Sequence, residues 1–158
     1  IESYINEVYQ VIIENSKLKH YKYPYSFGFL ENFVQNSKGL IETYAAFNNK
    51  GKIIAVRSYY KNNEYAIDFI AAALPEALKI YVTYQLAFLL ISKSIEEDMN
   101  FYDLGGVNYV ENKGVYNFKK GLGGKLVKDG RMSLCIKFSK YFPDFLASFL
   151  IRTITSFL

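Results

Sequence analysis

Residues 40–72, LIETYAAFNNKGKIIAVRSYYKNNEYAIDFIAA, decide which fold this chain can adopt. Three segments of this stretch are rich in β-branched and aromatic side chains, which suit a pleated and half-buried surface. These segments are 40–47, 53–60 and 65–72. Two short polar segments, NNKG at 48–51 and KNNE at 61–64, separate them and have the composition of hairpin turns. The stretch therefore predicts three consecutive antiparallel strands joined as a meander.

A long helix is predicted directly after the meander. Pro75 and Glu76 stand where the first turn of a helix favours a proline and an acidic residue, and the helix is expected to run to about Glu97. This segment is apolar on nearly every face, so we expect it to lie against the sheet and to be covered on its other side. Its most apolar run, 80–91, is too short to span a bilayer and indicates a buried helix.

The remaining predicted elements flank the meander and the long helix. Residues 2–16 are expected to form an amphipathic helix, because apolar residues recur there at spacings of three and four. The other predicted elements are a helix at 27–35, a strand at 101–104 ending in Gly105-Gly106, a helix at 113–120 stopped by Gly121, a strand at 131–138 and a tail helix from Pro143. This order predicts a single α+β domain with a mixed, largely antiparallel sheet flanked by helices.

The charge of the chain is distributed unevenly. The net charge is +4, but residues 112–158 carry nine Lys or Arg against two Asp or Glu, whereas residues 1–111 carry ten against thirteen. A basic C-terminal third suggests a phosphate-rich or otherwise anionic partner, and a solvated lysine face is the alternative. Since 51% of the residues are apolar, an intrinsically disordered chain is excluded.

Residues 101–124, FYDLGGVNYVENKGVYNFKKGLGG, contain the residues that suggest a chemistry. The strand brings Asp103 to a glycine pair, where the backbone can turn sharply or approach a ligand closely. A turn of helix then presents Phe118 and Lys119 beside the second flexible stretch, 121–124. A cation between two glycine-rich turns suits a phosphate or a developing oxyanion, although the glycines could simply shape loops.

The two halves of this segment, YDLGG at 102–106 and GVYNFKKGLGG at 114–124, resemble the signature of the FemABX peptidoglycan-bridge aminoacyltransferases. The resemblance implies a GNAT-like fold, with residues 1–158 corresponding to the second of the two GNAT-like halves of family members. It implies an enzyme that transfers an amino acid from aminoacyl-tRNA to an amine of a lipid- or nucleotide-linked muropeptide. Such an enzyme would be located in the cytoplasm or at the inner face of the membrane. Family members often have Phe at the position of Leu122.

The same resemblance implies roles for individual residues. Phe118 and Lys119 would lie at the transfer centre as catalytic residues, the lysine stabilising charge that develops on the ester carbonyl. The residues that would contact substrate are Asp103, Gly105, Gly106, Tyr116, Lys120, Gly121 and Gly123. Asp103 has a structural alternative, in which its carboxylate accepts N–H bonds from the glycine turn. No cofactor is implied.

An acetyl-CoA-dependent GNAT N-acyltransferase and a non-catalytic binding module are the alternative functions. GNAT enzymes that use CoA usually place a glycine-rich turn before the long helix, so that backbone N–H groups meet the pyrophosphate. Here residues 71–77 read AAALPEA, without a glycine. Pro75 has no N–H and Glu76 would repel a phosphate, so we expect no tight CoA binding.

Four other features receive structural interpretations. His20 is expected to be a surface residue, and Asp68 to lie on an exposed strand face rather than to be an inward-facing functional carboxylate. Cys135, the single cysteine, is interpreted as a small buried hydrophobe in a reducing compartment. The spacing of possible ligands predicts no metal site. The aromatic tail from Pro143 could contact a membrane as an interfacial helix, although packing on the domain is the better expectation because Arg152 is its one basic residue.

Overall fold

The computed structural model describes residues 2–108, 110–129 and 131–137. Their contacts divide into two compact units. The first unit contains residues 2–62 and 67–90, and the second contains residues 63–66 and the described residues from 91 onward.

Within the described residues the predicted helices and strands occur in the predicted order, with a break in the long helix and one additional strand. A 3₁₀ turn at Glu2–Tyr4 leads into α1, and the described elements are α1 (Ile5–Leu18), α2 (Phe27–Asn36), β1 (Ile41–Phe47), β2 (Ile53–Lys61), β3 (Tyr65–Ala73), α3 (Pro75–Lys79), α4 (Val82–Glu96), β4 (Phe101–Gly106), α5 (Lys113–Gly121), β5 (Lys125–Asp129) and β6 (Arg131–Lys137). The six strands form a mixed, mostly antiparallel sheet in the order β1-β2-β3-β4-β6-β5, flanked by helices. The predicted α+β class and the three-strand meander are therefore confirmed.

The core of the first unit includes two clusters, and alternate side chains of β1 pack against one or the other. Ile41 and Ala45 pack with the cluster that α1 and α2 cover, whereas Tyr44 and Ala46 pack with the cluster of α3 and the start of α4. Successive residues of a strand point to opposite faces, which explains this division. Val8 and Ile12, four residues apart on α1, are 1% and 2% exposed, as the amphipathic pattern predicts.

The long helix predicted from Pro75 to about Glu97 is interrupted, and this part of the prediction is wrong. The helix breaks at Ile80 and Tyr81, which are 60% and 70% exposed, and Tyr81 has a φ of 55°. In one continuous helix Ala77 and Val82 would point about 140° apart. The break lets both pack into the same buried cluster with Leu86, so core packing explains why the apolar run does not continue as one helix.

The second unit contains an antiparallel ribbon that the sequence analysis recognised in part. β4 pairs with β6, and β6 pairs with β5, which had not been predicted as a strand. Val127 of β5 lies opposite Ser133 of β6. The ring of Tyr65 stacks on that of Phe101, with centroids 5.0 Å apart.

The predicted tail helix from Pro143 lies outside the described residues. Among the described helices, none is long and apolar enough to cross a bilayer.

Candidate active site at the end of β4

A bulge ends β4 within the YDLGG segment. Asp103 lies opposite Cys135 and Gly106 lies opposite Ser133, so β4 contains one more residue than β6 over this interval. Gly105 occupies the bulge with a φ of 80°, a conformation that favours glycine. The N–H of Gly105 donates to Oδ1 of Asp103 at 2.7 Å, which fixes the turn. Bulges often occur beside active sites because they redirect the chain at the end of a strand.

Lys119 of α5 reaches this bulge. Its Nζ donates a hydrogen bond to the carbonyl oxygen of Gly106 at 2.9 Å. The same Nζ lies 3.6 Å from the position that a Cβ on Gly105 would occupy. The side chain of Lys119 is half-buried. The structure therefore brings together four of the predicted site residues, namely Asp103, Gly105, Gly106 and Lys119.

The two ends of α5 are fixed by local hydrogen bonds. At the start, the side chain of Asn112 accepts from the N–H of Val115 at 3.2 Å, as an N-cap residue does. At the end, Gly124 N donates to Lys119 O at 3.2 Å and Gly123 N to Lys120 O at 3.0 Å. Gly123 has a φ of 90°. These two bonds and this φ form a Schellman motif, which gives Gly123 a structural role.

The other predicted site residues lie on α5 or directly after it. The ammonium of Lys120, which is exposed, lies 5.9 Å from the centroid of the Tyr116 ring. Phe118 is half-buried, and Gly121 is the last residue of the helix. Since Lys119 and Lys120 are about 100° apart on the helix, their ammonium groups have different surroundings.

The segment before α3 has the form of a helix start, but not of a phosphate-binding turn. The N–H of Leu74 donates to Ile54 O at 2.8 Å, and the N–H groups of Ala77 and Leu78 donate to Leu74 O. Pro75 has no N–H to offer a phosphate, and Glu76 adds a negative charge in the first turn.

Asp68 is not on an exposed face, which corrects the prediction from the sequence. It forms a bidentate ion pair with Arg57, with Arg57 Nε 3.1 Å from Oδ1 and Arg57 Nη2 bonded to Oδ2. The two side chains are only 7% and 9% exposed. The sequence contained a signal for this pair, because Arg57 and Asp68 are equally distant from Asn62-Asn63 at the centre of the predicted hairpin.

The remaining candidates from the sequence are His20, Cys135 and a possible metal site. His20 is exposed in the loop after α1, as predicted, and Cys135 is half-buried in β6 rather than fully buried. No group of three or more His, Cys, Asp or Glu side chains with metal-binding geometry occurs in the part of the chain that the structure describes.

Comparison with solved structures assigns the fold. A crystal structure of a GNAT-family acetyltransferase from Staphylococcus aureus Mu50 matches with a TM-score of 0.70 and 16% identity, over 87% of this chain and 94% of that one. The PaiA N-acetyltransferase of Thermoplasma acidophilum, solved in complex with coenzyme A, matches with a TM-score of 0.64 and 15% identity, over 87% of this chain and 94% of that one. The ribosomal-protein-S18-alanine N-acetyltransferase of Escherichia coli matches with a TM-score of 0.63 and 16% identity, over 88% and 92%.

These likenesses show that the chain has the GNAT fold, as the sequence predicts. No protein-family model and no curated protein sequence matches the chain. Because the sequence identities are low, the function is argued below from the site itself.

Proposed function

We propose that this protein is an N-acyltransferase in which Lys119 stabilises the negative charge that develops during acyl transfer to an amine. The observation that carries this proposal is the hydrogen bond from Lys119 Nζ to Gly106 O at the β4 bulge. This bond holds an ammonium group at the end of a strand, beside a glycine with no side chain to block an approaching ligand.

The chemistry follows from what a fixed cation can do. When an amine attacks an ester carbonyl, the carbonyl oxygen becomes negative, and a preorganised cation stabilises that state more than it stabilises the neutral ester. Collapse of the intermediate forms the amide and expels the alcohol oxygen, which receives the proton lost by the amine. The bond between Asp103 and Gly105 contributes by keeping the bulge in one conformation, so Asp103 is proposed as a positioning residue.

We further propose that the acyl donor is an aminoacyl-tRNA and the acceptor an amine of a lipid- or nucleotide-linked muropeptide. Two features support this donor over CoA. The residues of the bulge and of α5 are those that resemble the FemABX signature, and the N-terminus of α3 combines Pro75 with the acidic Glu76 where CoA-dependent GNAT enzymes bind a pyrophosphate. In this proposal Phe118 and Tyr116 contribute aromatic surface near the donor, Lys120 contacts a phosphate, and Gly106, Gly121 and Gly123 leave room for the substrate.

Acetyl-CoA is the second candidate donor. The solved structures that resemble this chain include acetyltransferases, among them the PaiA N-acetyltransferase crystallised with coenzyme A. The described fold is compatible with that reaction, with Lys119 in the same role. The two donors require different binding sites. Aminoacyl-tRNA requires a surface that binds nucleic acid, whereas acetyl-CoA requires a pyrophosphate site at the start of α3.

A donor-exchange assay separates the two candidates. The purified protein is incubated with a nucleotide-linked muropeptide carrying a free amine, and with either labelled aminoacyl-tRNA or labelled acetyl-CoA. We expect the label to enter the muropeptide from aminoacyl-tRNA and calorimetry to find no CoA dissociation constant of about 1 μM or tighter, which would correspond to about −8 kcal/mol. Acetyl transfer together with micromolar CoA binding would establish the second candidate, and a folded protein that transfers neither label would overturn the proposed function.

A further inference from the structure

An exposed aromatic surface lies between α1 and α2, outside the candidate active site. Tyr21, Tyr25 and Phe29 are 44%, 44% and 47% exposed, and we call these three residues the aromatic patch. Tyr21 and Tyr25 lie in the loop between the helices, and Phe29 lies in the first turn of α2. Exposed aromatic side chains that are close together mark an interaction surface more often than isolated ones do.

Ring contacts hold Tyr25 and Phe29 of the aromatic patch in place. The rings of Tyr25 and Phe29 are stacked with centroids 4.6 Å apart and planes 14° apart. Phe29 stacks in turn on Phe33 at 6.1 Å, and Phe33 packs against Phe69 of β3 at 4.8 Å. The rings therefore form a continuous column from the sheet to the surface. Because these contacts already restrict the exposed rings, little side-chain conformational entropy is lost when they bind a partner.

The loop that bears the aromatic patch is basic. Residues 15–30 contain no acidic side chain, and they contain Lys17, Lys19, His20 and Lys22, all exposed. Burial raises the pKa of Tyr21, so its phenol is uncharged at neutral pH. Burial, followed by the effect of its tyrosine neighbours, raises the pKa of Tyr23 to about 12. The surface thus combines positive charge with apolar rings and carries no negative side chain over this segment.

We propose that the aromatic patch and its lysines bind the surface of an anionic lipid bilayer. Tyrosine and phenylalanine rings are stable at the headgroup level of a membrane, and lysines near the surface are attracted to anionic lipids. The inference goes beyond the proposed function, because it rests on a surface of the first unit and involves none of the site residues. It also differs from membrane contact by the tail from Pro143, since it requires no residue of the tail.

The stacking geometry favours a bilayer over single-stranded RNA as the occupant. A nucleic-acid base binds an aromatic residue through a free ring face. Phe29 stacks with both Tyr25 and Phe33, and Tyr25 also packs edge-to-face with Tyr23, so the ring faces in these contacts are already occupied. Ring edges and lysine side chains insert among lipid headgroups without needing an open ring face.

Vesicle sedimentation tests the proposal. The whole chain is mixed with vesicles of phosphatidylcholine alone, or of phosphatidylcholine with about one third phosphatidylglycerol, at low and at physiological salt. We expect binding to the anionic vesicles at least about tenfold stronger than to the neutral ones, and weaker at the higher salt concentration. Lys17→Gln with Lys22→Gln should weaken the binding about tenfold, and Phe29→Gln should weaken it at both salt concentrations.

A matched pair of lysines provides the control. Lys79 lies in the last turn of α3 as Lys17 does in α1, and Lys50 lies in an exposed turn as Lys22 lies in a loop. Lys50→Gln with Lys79→Gln removes the same charge and should leave vesicle binding unchanged, and thermal melting confirms that each variant folds. The proposal is overturned if folded wild-type protein does not sediment with anionic vesicles, if both lysine pairs weaken binding equally, or if the patch variants alter only RNA binding or self-association.

Discussion

At the scale of single residues, Lys119 and Lys120 provide a matched comparison on one helix. The ammonium of Lys119 is bonded to Gly106 O, whereas that of Lys120 is exposed beside the Tyr116 ring. We predict that Lys119→Met lowers kcat about a hundredfold or more, as loss of one oxyanion donor typically does. Lys120→Met should mainly raise KM. Steady-state kinetics of the two folded variants measures the difference, and a Lys119→Met protein that turns over near the parent rate would refute the catalytic role.

The buried ion pair is a second residue-scale feature, and it supports the fold rather than the chemistry. Arg57 and Asp68 join β2 to β3 and are almost fully removed from solvent. Removing one partner leaves a buried charge without its counter-charge, so Asp68→Ala should lower the free energy of unfolding by about 3–5 kcal/mol. Denaturant unfolding measures the loss.

The double variant Arg57→Met with Asp68→Leu is the control for this prediction. It removes both charges and fills similar volume, so it should recover most of the stability lost in Asp68→Ala. A single variant as stable as the parent would show that the pair contributes little to folding.

At the scale of elements, one glycine in the β4 bulge and one in α5 differ in backbone conformation, so their alanine variants should differ in stability. Gly105 has a positive φ, whereas Gly114 lies in α5 without one, and apart from its chain neighbours and the nearby helix backbone no described atom lies within 4 Å of where its Cβ would be. Gly105→Ala should therefore cost roughly 1–2 kcal/mol of stability through backbone strain. Gly114→Ala should stabilise the protein by about 0.5 kcal/mol, because alanine favours helix.

Thermal or denaturant unfolding of both glycine variants provides the measurement. The prediction for the bulge fails if Gly105→Ala unfolds at the same denaturant concentration as the parent. Because a Cβ at Gly105 would only touch Lys119 Nζ at 3.6 Å, any larger loss of activity than of stability would indicate that the bulge also positions Lys119.

At the scale of the whole molecule, the uneven charge should appear in how salt affects binding. Residues 112–158 carry most of the excess positive charge, so a nucleic-acid donor should bind mainly through this part. We predict that tRNA affinity falls at least about tenfold between 50 and 200 mM salt, as measured by filter binding or fluorescence anisotropy.

Substitution of exposed lysines tests where that affinity arises. Lys113→Gln with Lys125→Gln should reduce the dependence on salt, whereas Lys50→Gln with Lys79→Gln should leave it unchanged. Affinity that is independent of salt, or equally sensitive to both pairs, would contradict a phosphate-binding role for the basic third.

Local patterns in the sequence were sufficient to predict many of the elements. The alternation and turn composition of residues 40–72 predicted β1, β2 and β3, and the three- and four-residue spacing of apolar side chains predicted α1. The bond between Asp103 and Gly105 was also predictable, because a short carboxylate commonly accepts an N–H from a residue two positions further along the chain. All of these features depend on residues that are close together in the sequence.

The tertiary structure alone decided three other features. The break at Tyr81 depends on packing Ala77 and Val82 into one cluster, and β5 became a strand by pairing with β6. The bond from Lys119 to Gly106 requires α5 to return to the end of β4. The sequence by itself determined most of the order of elements, because periodicity and turn chemistry are local, and the roles that its resemblance gives to the site residues stay predictions. Contacts between distant residues decided where the helix breaks and which lysine meets the bulge, because those depend on competition for one shared core.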